Sequence, residues 1–270
     1  MQPMRATMDI VQYPVAVSVR YLTERYRSTW VLPEGTVPES VPHNTAARHL
    51  ELVLEAWSRR TPRAVRVARN LAVRWVEEAP NIGIDPDVCL LEPPPENADD
   101  LGSLCTWRPG QVAPALCFEV VSANHPHKDY TELQDRYAAL GTQELIVFDP
   151  LLVGPRSLGG PVALQVWRRV PAGLFERVHF GDQPAFCEVL GAWLVPCGRL
   201  LEIADDRAGH QRWRTEADYE RAEKERERAE KERERAEKEH ERAEKERERQ
   251  VRIDLERRLA ALEGQQQDRR

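Results

Sequence analysis

Asp85-Pro86-Asp87-Val88-Cys89-Leu90-Leu91 and Ala115-Leu116-Cys117-Phe118-Glu119-Val120-Val121-Ser122 are two short apolar runs, and each carries a carboxylate. Both read as buried strands, because they are short, β-branched or aromatic in part, and bounded by Pro, Gly or Ser. An ionised Glu in the middle of a buried strand is costly unless something pairs with it. A bound cation is one such partner, which makes Asp87 and Glu119 a candidate pair of metal ligands. The alternative is a carboxylate satisfied by Arg, Lys or backbone amides.

Upstream of this pair, Val65–Glu78 places Val65, Val67, Leu71, Val73 and Trp75 in partial alternation, which predicts strand. Before it, Leu50, Val53, Leu54 and Trp57 have the i, i+3, i+4, i+7 spacing of an amphipathic helix. Asn44 or Thr45 is placed to cap that helix, which ends near Arg60 ahead of Pro62. Residues 29–43 are rich in Pro and Gly and read as loop or ribbon. Glu39 and His43, at the helix entrance, either touch a site or are surface loop residues. Residues 1–28 are an N-terminal segment of mixed character.

Downstream, residues 92–114 read as an exposed connection. Asp129 and Glu132 have capping-box spacing. They lead a helix whose face is Leu133, Tyr137 and Leu140, with Gly141 as its C′ residue. His125 and His127 flank Pro126; their spacing fits turn residues better than metal ligands. Glu144–Pro150 predicts another buried strand. Val162–Val170 and Leu174–Phe180 predict a hairpin across Pro171-Ala172-Gly173, and Leu200–Ile203 a last short strand. Helices and strands in this order predict a sheet flanked by helices, α/β or α+β in class.

The chain changes character near Thr215. From Glu216 it is almost entirely Glu, Lys, Arg and Ala, and holds 19 of the 45 acids and 17 of the 39 bases. The heptad Ala-Glu-Lys-Glu-Arg-Glu-Arg starts at Ala222 and recurs at Ala229, Ala236 (with His240 for Arg) and Ala243. Glu220–Lys224 and Glu227–Lys231 have the favourable order for i, i+4 ion pairs, each worth roughly 0.3 kcal/mol. A long charged helix follows. Only Ala recurs as a seam, so a coiled coil and a solitary helix both remain open. Neither part of the chain is basic, so bulk charge does not drive tight non-specific DNA binding. Five Cys lack metal spacing, and no apolar run approaches membrane-spanning length. A soluble cytoplasmic protein is expected, with residues 29–215 as one domain and 216–270 as a helical tail.

Pro86-Asp87-Val88, Phe118-Glu119-Val120-Val121-Ser122, Asp135-Arg136-Tyr137-Ala138-Ala139-Leu140-Gly141 and Glu144-Leu145-Ile146-Val147-Phe148-Asp149-Pro150 occur in that order. Pro38-Glu39-Ser40 with His43 precedes them, and Glu188-Val189-Leu190-Gly191-Ala192-Trp193 follows. Together they resemble the Uma-type (putative restriction endonuclease) family, a branch of the PD-(D/E)xK nuclease superfamily, over roughly residues 30–205. The resemblance implies a restriction-endonuclease-like fold with a mixed central sheet, flanking helices and here a C-terminal charged helix. It also implies Mg²⁺- or Mn²⁺-dependent cleavage of DNA, with Asp87 and Glu119 as metal ligands and Glu39 as an accessory acid. The superfamily's lysine lies two residues after the Glu, where this chain has Val121. In much of the family it projects instead from the next helix, at the position of Leu133. Lys128 is the nearby replacement, as a catalytic lysine or as a solvated loop residue.

Two expectations of different class follow. One is an active endonuclease using Asp87, Glu119 and Lys128. The other is a catalytically impaired nuclease-fold scaffold that forms a homo-oligomer through residues 216–270.

Overall fold

Successive residues of the two acid-bearing strands divide between opposite faces of one sheet. The computed structural model describes residues 40–123, 126–131 and 133–267. The N-terminal segment 1–28, and Glu39 with it, lie outside the described residues. The chain runs α1 (Val41–Ser58), β1 (Arg66–Arg69), β2 (Ala72–Arg74), β3 (Gly83–Ile84), β4 (Val88–Leu91), β5 (Ser103–Cys105) and β6 (Leu116–Val120). It continues α2 (Pro126–Thr131), α3 (Leu133–Leu140), β7 (Glu144–Phe148), β8 (Leu164–Arg169), β9 (Phe175–Gly181), β10 (Ala185–Cys187), β11 (Ala192–Cys197), β12 (Leu200–Ala204) and α4 (Glu216–Gln267).

The central sheet has the order β1-β4-β6-β7-β8-β9 and is mixed: β6 and β7 are parallel, the other neighbours antiparallel. Strands β4, β6 and β7 are buried along their whole length, which is why their sequences are continuous apolar runs. Side chains alternate across a sheet. Val88, Leu90, Leu116, Phe118, Val120 and Ile146 join α1 and the β10-β11-β12 sheet in one core. Cys89, Leu91, Cys117, Val121, Leu145 and Val147 join Leu133 and Tyr137 of α3 and the β3-β2-β5 sheet in the other. Glu119 falls between Cys117 and Val121 and so belongs to the α3 face.

Several boundaries differ from the sequence reading. Helix α1 starts at Val41 with the extended Ser40 in the N-cap position, so neither Asn44 nor Thr45 caps it. Pro42 does not oppose this, because proline suits the first turn, where its absent N–H needs no partner. Val65–Glu78 is two strands in two sheets, broken at Asn70, whose φ is +50°. The connection 92–114 is not wholly exposed, since β5 pairs in parallel with β2 and buries Leu104 and Cys105. The hairpin of β8 and β9, the last strand and the Gly141 stop (φ +104°) follow the sequence reading.

Two contacts close the end of this unit. Trp57 stacks on Trp213 with ring centroids 5.2 Å apart, and Arg63 lies over the Trp57 ring. Arg60 makes a two-pronged ion pair with Glu216, at 2.9 and 3.0 Å. The chain divides into two compact units after Glu216. By itself the second is a charged helix: side chains from Glu223 to Arg252 are exposed, with Glu–Lys pairs at 227–231, 234–238 and 241–245. At 1.5 Å per residue the 52 residues of α4 extend about 78 Å. Among the described residues no helix is long and apolar enough to cross a membrane.

One glycine contact fixes how α2 is held. Tyr130 of α2 is buried against Gly154 and Gly160, and its hydroxyl lies 3.3 Å from Asp149 and from the Val162 carbonyl. A Cβ at Gly154 would lie 2.2 Å from the tyrosine oxygen and 2.3 Å from Cζ. The ring is rigid and cannot yield at its tip. Gly154→Ala is therefore expected to destabilise the domain by about 1–3 kcal/mol. The check is a lowered urea midpoint with an unchanged denaturant slope.

Candidate active site

Asp87 immediately precedes β4, and Glu119 is in β6. The antiparallel register pairs Val88 with Phe118, so the next step outward sets Asp87 opposite Glu119. Directly opposed residues point to the same face with Cβ atoms about 4.5–5.5 Å apart. Both acids are buried, at 9% and 4% exposure. The strand register thus brings the two acids to the same end of neighbouring strands.

Each carboxylate is held by specific donors. Asp87 Oδ2 accepts the Val120 N–H at 2.7 Å and lies 3.1 Å from His43 Nε2. Glu119 Oε1 accepts the Tyr137 hydroxyl. Tyr137 comes from α3, where it is wholly buried one turn after Leu133. Among the described residues, the one ion-pair partner of either acid is His43. Among the described residues neither is paired with an arginine.

Electrostatics of the site follow from this burial. The Glu119 carboxyl is held well above the usual range, first by burial and then by repulsion from Asp87. The Lys128 ammonium and the Tyr137 hydrogen bond act the other way. Asp129, also buried, accepts the Ser122 N–H at 3.3 Å. Its carboxyl is pushed up to about 6 by burial and, less strongly, by Asp87, against the opposing field of Lys128. Burial and the neighbouring Glu119 push the Tyr137 phenol upward as well.

Some sequence assignments change here. Asp129 does not cap the helix: α2 begins earlier, at Pro126, and the Asp129 carboxylate turns to Ser122 beside the acid pair. Glu132, its expected partner, lies outside the described residues, as does His125. His43 is not a surface loop residue; it is a buried residue of the first turns of α1 in contact with Asp87. His127 is exposed. Lys128 belongs to α2, with an exposed side chain whose charge acts on both Glu119 and Asp129. Leu133 is completely buried in the core.

The other buried acids have structural partners. Asp149 accepts the Gly154 N–H at 2.8 Å and the Val153 N–H at 3.1 Å, which folds the loop after β7. Glu144 receives Arg168 at 3.0 Å, the Val189 N–H at 2.8 Å, the Glu188 N–H at 3.1 Å and the Cys187 thiol at 3.0 Å. It ties the central sheet to the turn after β10, beside a surface cavity of about 600 Å³ lined by Arg168, Arg169 and Glu188. Glu144→Gln turns an amide NH₂ toward one set of these donors. A loss of about 1–3 kcal/mol is expected in chemical denaturation.

The site's donors are hard oxygens, which suit Mg²⁺ or Mn²⁺. Among the described residues no three His, Cys, Asp or Glu side chains gather as a metal-holding group. Mg²⁺ does not require one, since it is held by one or two carboxylates with waters and substrate phosphate. Two mutually repelling buried carboxylates, with no arginine between them among the described residues, fit such an ion.

Comparison with known proteins bears on the same stretch. Residues 29–193, more than half of the chain, match the family model Uma2, described as "Putative restriction endonuclease". Among solved structures, a match is the crystal structure of a putative nuclease belonging to DUF820 from Anabaena variabilis ATCC 29413. It has 16% identity and a TM-score of 0.40, over 57% of this chain and 75% of that one. No curated protein matches the chain.

Proposed function

The chain belongs to the Uma2 family of putative restriction endonucleases, and from that membership and the acid pair we propose that it is a divalent-metal-dependent endodeoxyribonuclease. The observation that carries this reading is the pair of buried carboxylates, Asp87 and Glu119, set opposite each other with no arginine partner among the described residues. They are the residues to hold Mg²⁺ or Mn²⁺. When bound, such an ion lowers the pKa of a coordinated water and offsets charge on the scissile phosphate. Val120 N–H and the Tyr137 hydroxyl hold the two carboxylates in place. Lys128 supplies the positive charge that orients the attacking water or the phosphate, in place of the helix lysine that Leu133 has displaced. Glu39 is retained as the accessory acid by family resemblance alone.

The test is cleavage of supercoiled plasmid DNA by the full chain in Mg²⁺ or Mn²⁺. Cleavage is expected with either ion, and is expected to vanish with chelator and in Asp87→Ala. A well-folded wild-type protein that cuts in neither ion defeats the reading. One observation favours the scaffold alternative: the helix position of the family lysine is a wholly buried leucine. On that reading the tail joins copies of the chain, using the apolar end where Val251 and Leu255 are exposed, one turn apart. Sedimentation of the full chain against a chain ending at Glu216 tests the self-association that both readings allow.

A further inference from the structure

We infer that His43 is a positioning residue that leaves Asp87 only one oxygen for a cation, and thereby biases the site toward Mg²⁺ and Mn²⁺ over Ca²⁺. The inference rests on the metal-site reading above. A carboxylate oxygen has two lone pairs. On Asp87 Oδ2 one accepts the Val120 N–H at 2.7 Å, and His43 Nε2 approaches at 3.1 Å. An ionised carboxylate has no proton to give, so Nε2 carries the hydrogen and donates it. Both acceptor positions of Oδ2 are then filled, and Oδ1 is the oxygen that remains for an ion.

His43 cannot easily turn away. It is 7% exposed, and Ala46, Ala47 and Leu50 on the same helix are completely buried in the core. The imidazole is therefore fixed by the packing of α1 against the sheet. The consequence is chemical. Ca²⁺ takes six to eight oxygens and readily accepts both oxygens of one carboxylate, whereas Mg²⁺ takes six, near-octahedral, at about 2.0–2.1 Å. A carboxylate confined to one oxygen suits the smaller ion. Partners that hydrogen-bond a ligating group tune its metal affinity by about 10–100-fold.

The experiment is titration calorimetry of the full chain with Mg²⁺, Mn²⁺ and Ca²⁺, for wild type, His43→Phe and His43→Gln. His43→Phe keeps a ring in the buried site and removes the donor; His43→Gln returns an N–H donor. His43→Phe is expected to raise the Ca²⁺-to-Mg²⁺ affinity ratio by about tenfold or more, with His43→Gln close to wild type. An unchanged ratio in a folded His43→Phe protein overturns the role of His43 while leaving the metal site standing. Failure of wild type to bind any of the three ions removes the site and this inference together. Should His43→Phe not fold, His43→Ala carries the same comparison, with the same ratio deciding it.

Discussion

Glu119→Gln is expected to abolish metal-dependent cleavage and to make the metal-free protein more stable at neutral pH. A ligand to the ion should matter more than a partner of a ligand, so the loss of activity is at least about 100-fold. The stability effect follows from the raised carboxyl of Glu119, caused by burial and by Asp87. A group with its folded pKa above its unfolded value contributes full stability below the unfolded pKa, about 4.3 for Glu. That contribution is lost as pH rises through the folded value. Metal-free wild type should therefore lose stability on going from acid to neutral pH. Gln does not titrate, and its amide oxygen can still accept the Tyr137 hydroxyl. Thermal unfolding between pH 5 and 9 checks this: the variant should melt higher at pH 8 by about 2 °C or more, with a flatter pH profile. The part of the slope due to Asp129, whose carboxyl titrates at about 6, should persist in the variant. Added Mg²⁺ should raise the melting temperature of wild type and leave the variant unmoved. Equal melting temperatures at every pH would show that Glu119 carries no buried charge.

Lys128→Met should reduce cleavage by about 10²–10³-fold, the usual range for removing one electrostatic donor at the reacting centre. The side chain is exposed, so the fold should hold. Its charge lowers the carboxyls of both Glu119 and Asp129, so its removal should shift Asp129 above its present value of about 6. That displacement, followed by carboxyl NMR, separates loss of the charge from a merely misfolded helix. Wild-type cleavage by Lys128→Met would mean that the function of the family lysine has not moved to α2.

The acid pair was legible because both runs are buried on two faces, and such strands write themselves as unbroken apolar residues. A carboxylate in that setting is conspicuous. His43 was harder to place. The prolines of residues 29–43 signalled a loop, yet Pro42 is accommodated in the first turn of a helix, and burial of the imidazole depends on a strand more than 40 residues away. The spacing of Asp129 and Glu132 predicts a capping role for Asp129. Its actual partner is the Ser122 amide, seven residues back, which the spacing does not encode. The split of Val65–Glu78 and the burial of β5 share one cause: β2 leaves the central sheet to pair with chain about 30 residues distant. The donors to Glu144 and Asp149 are likewise supplied by loops, and only folding brings them to the strand ends.

The Trp57–Trp213 stack also gives the protein an optical signature. Two indoles held nearly parallel, 10° between planes, couple their electronic transitions. A circular-dichroism couplet from that pair reports whether the last residues of the globular unit remain docked on α1. Neither ring is a partner of the carboxylate pair, so the same protein can be followed spectroscopically while ions or DNA are titrated into it.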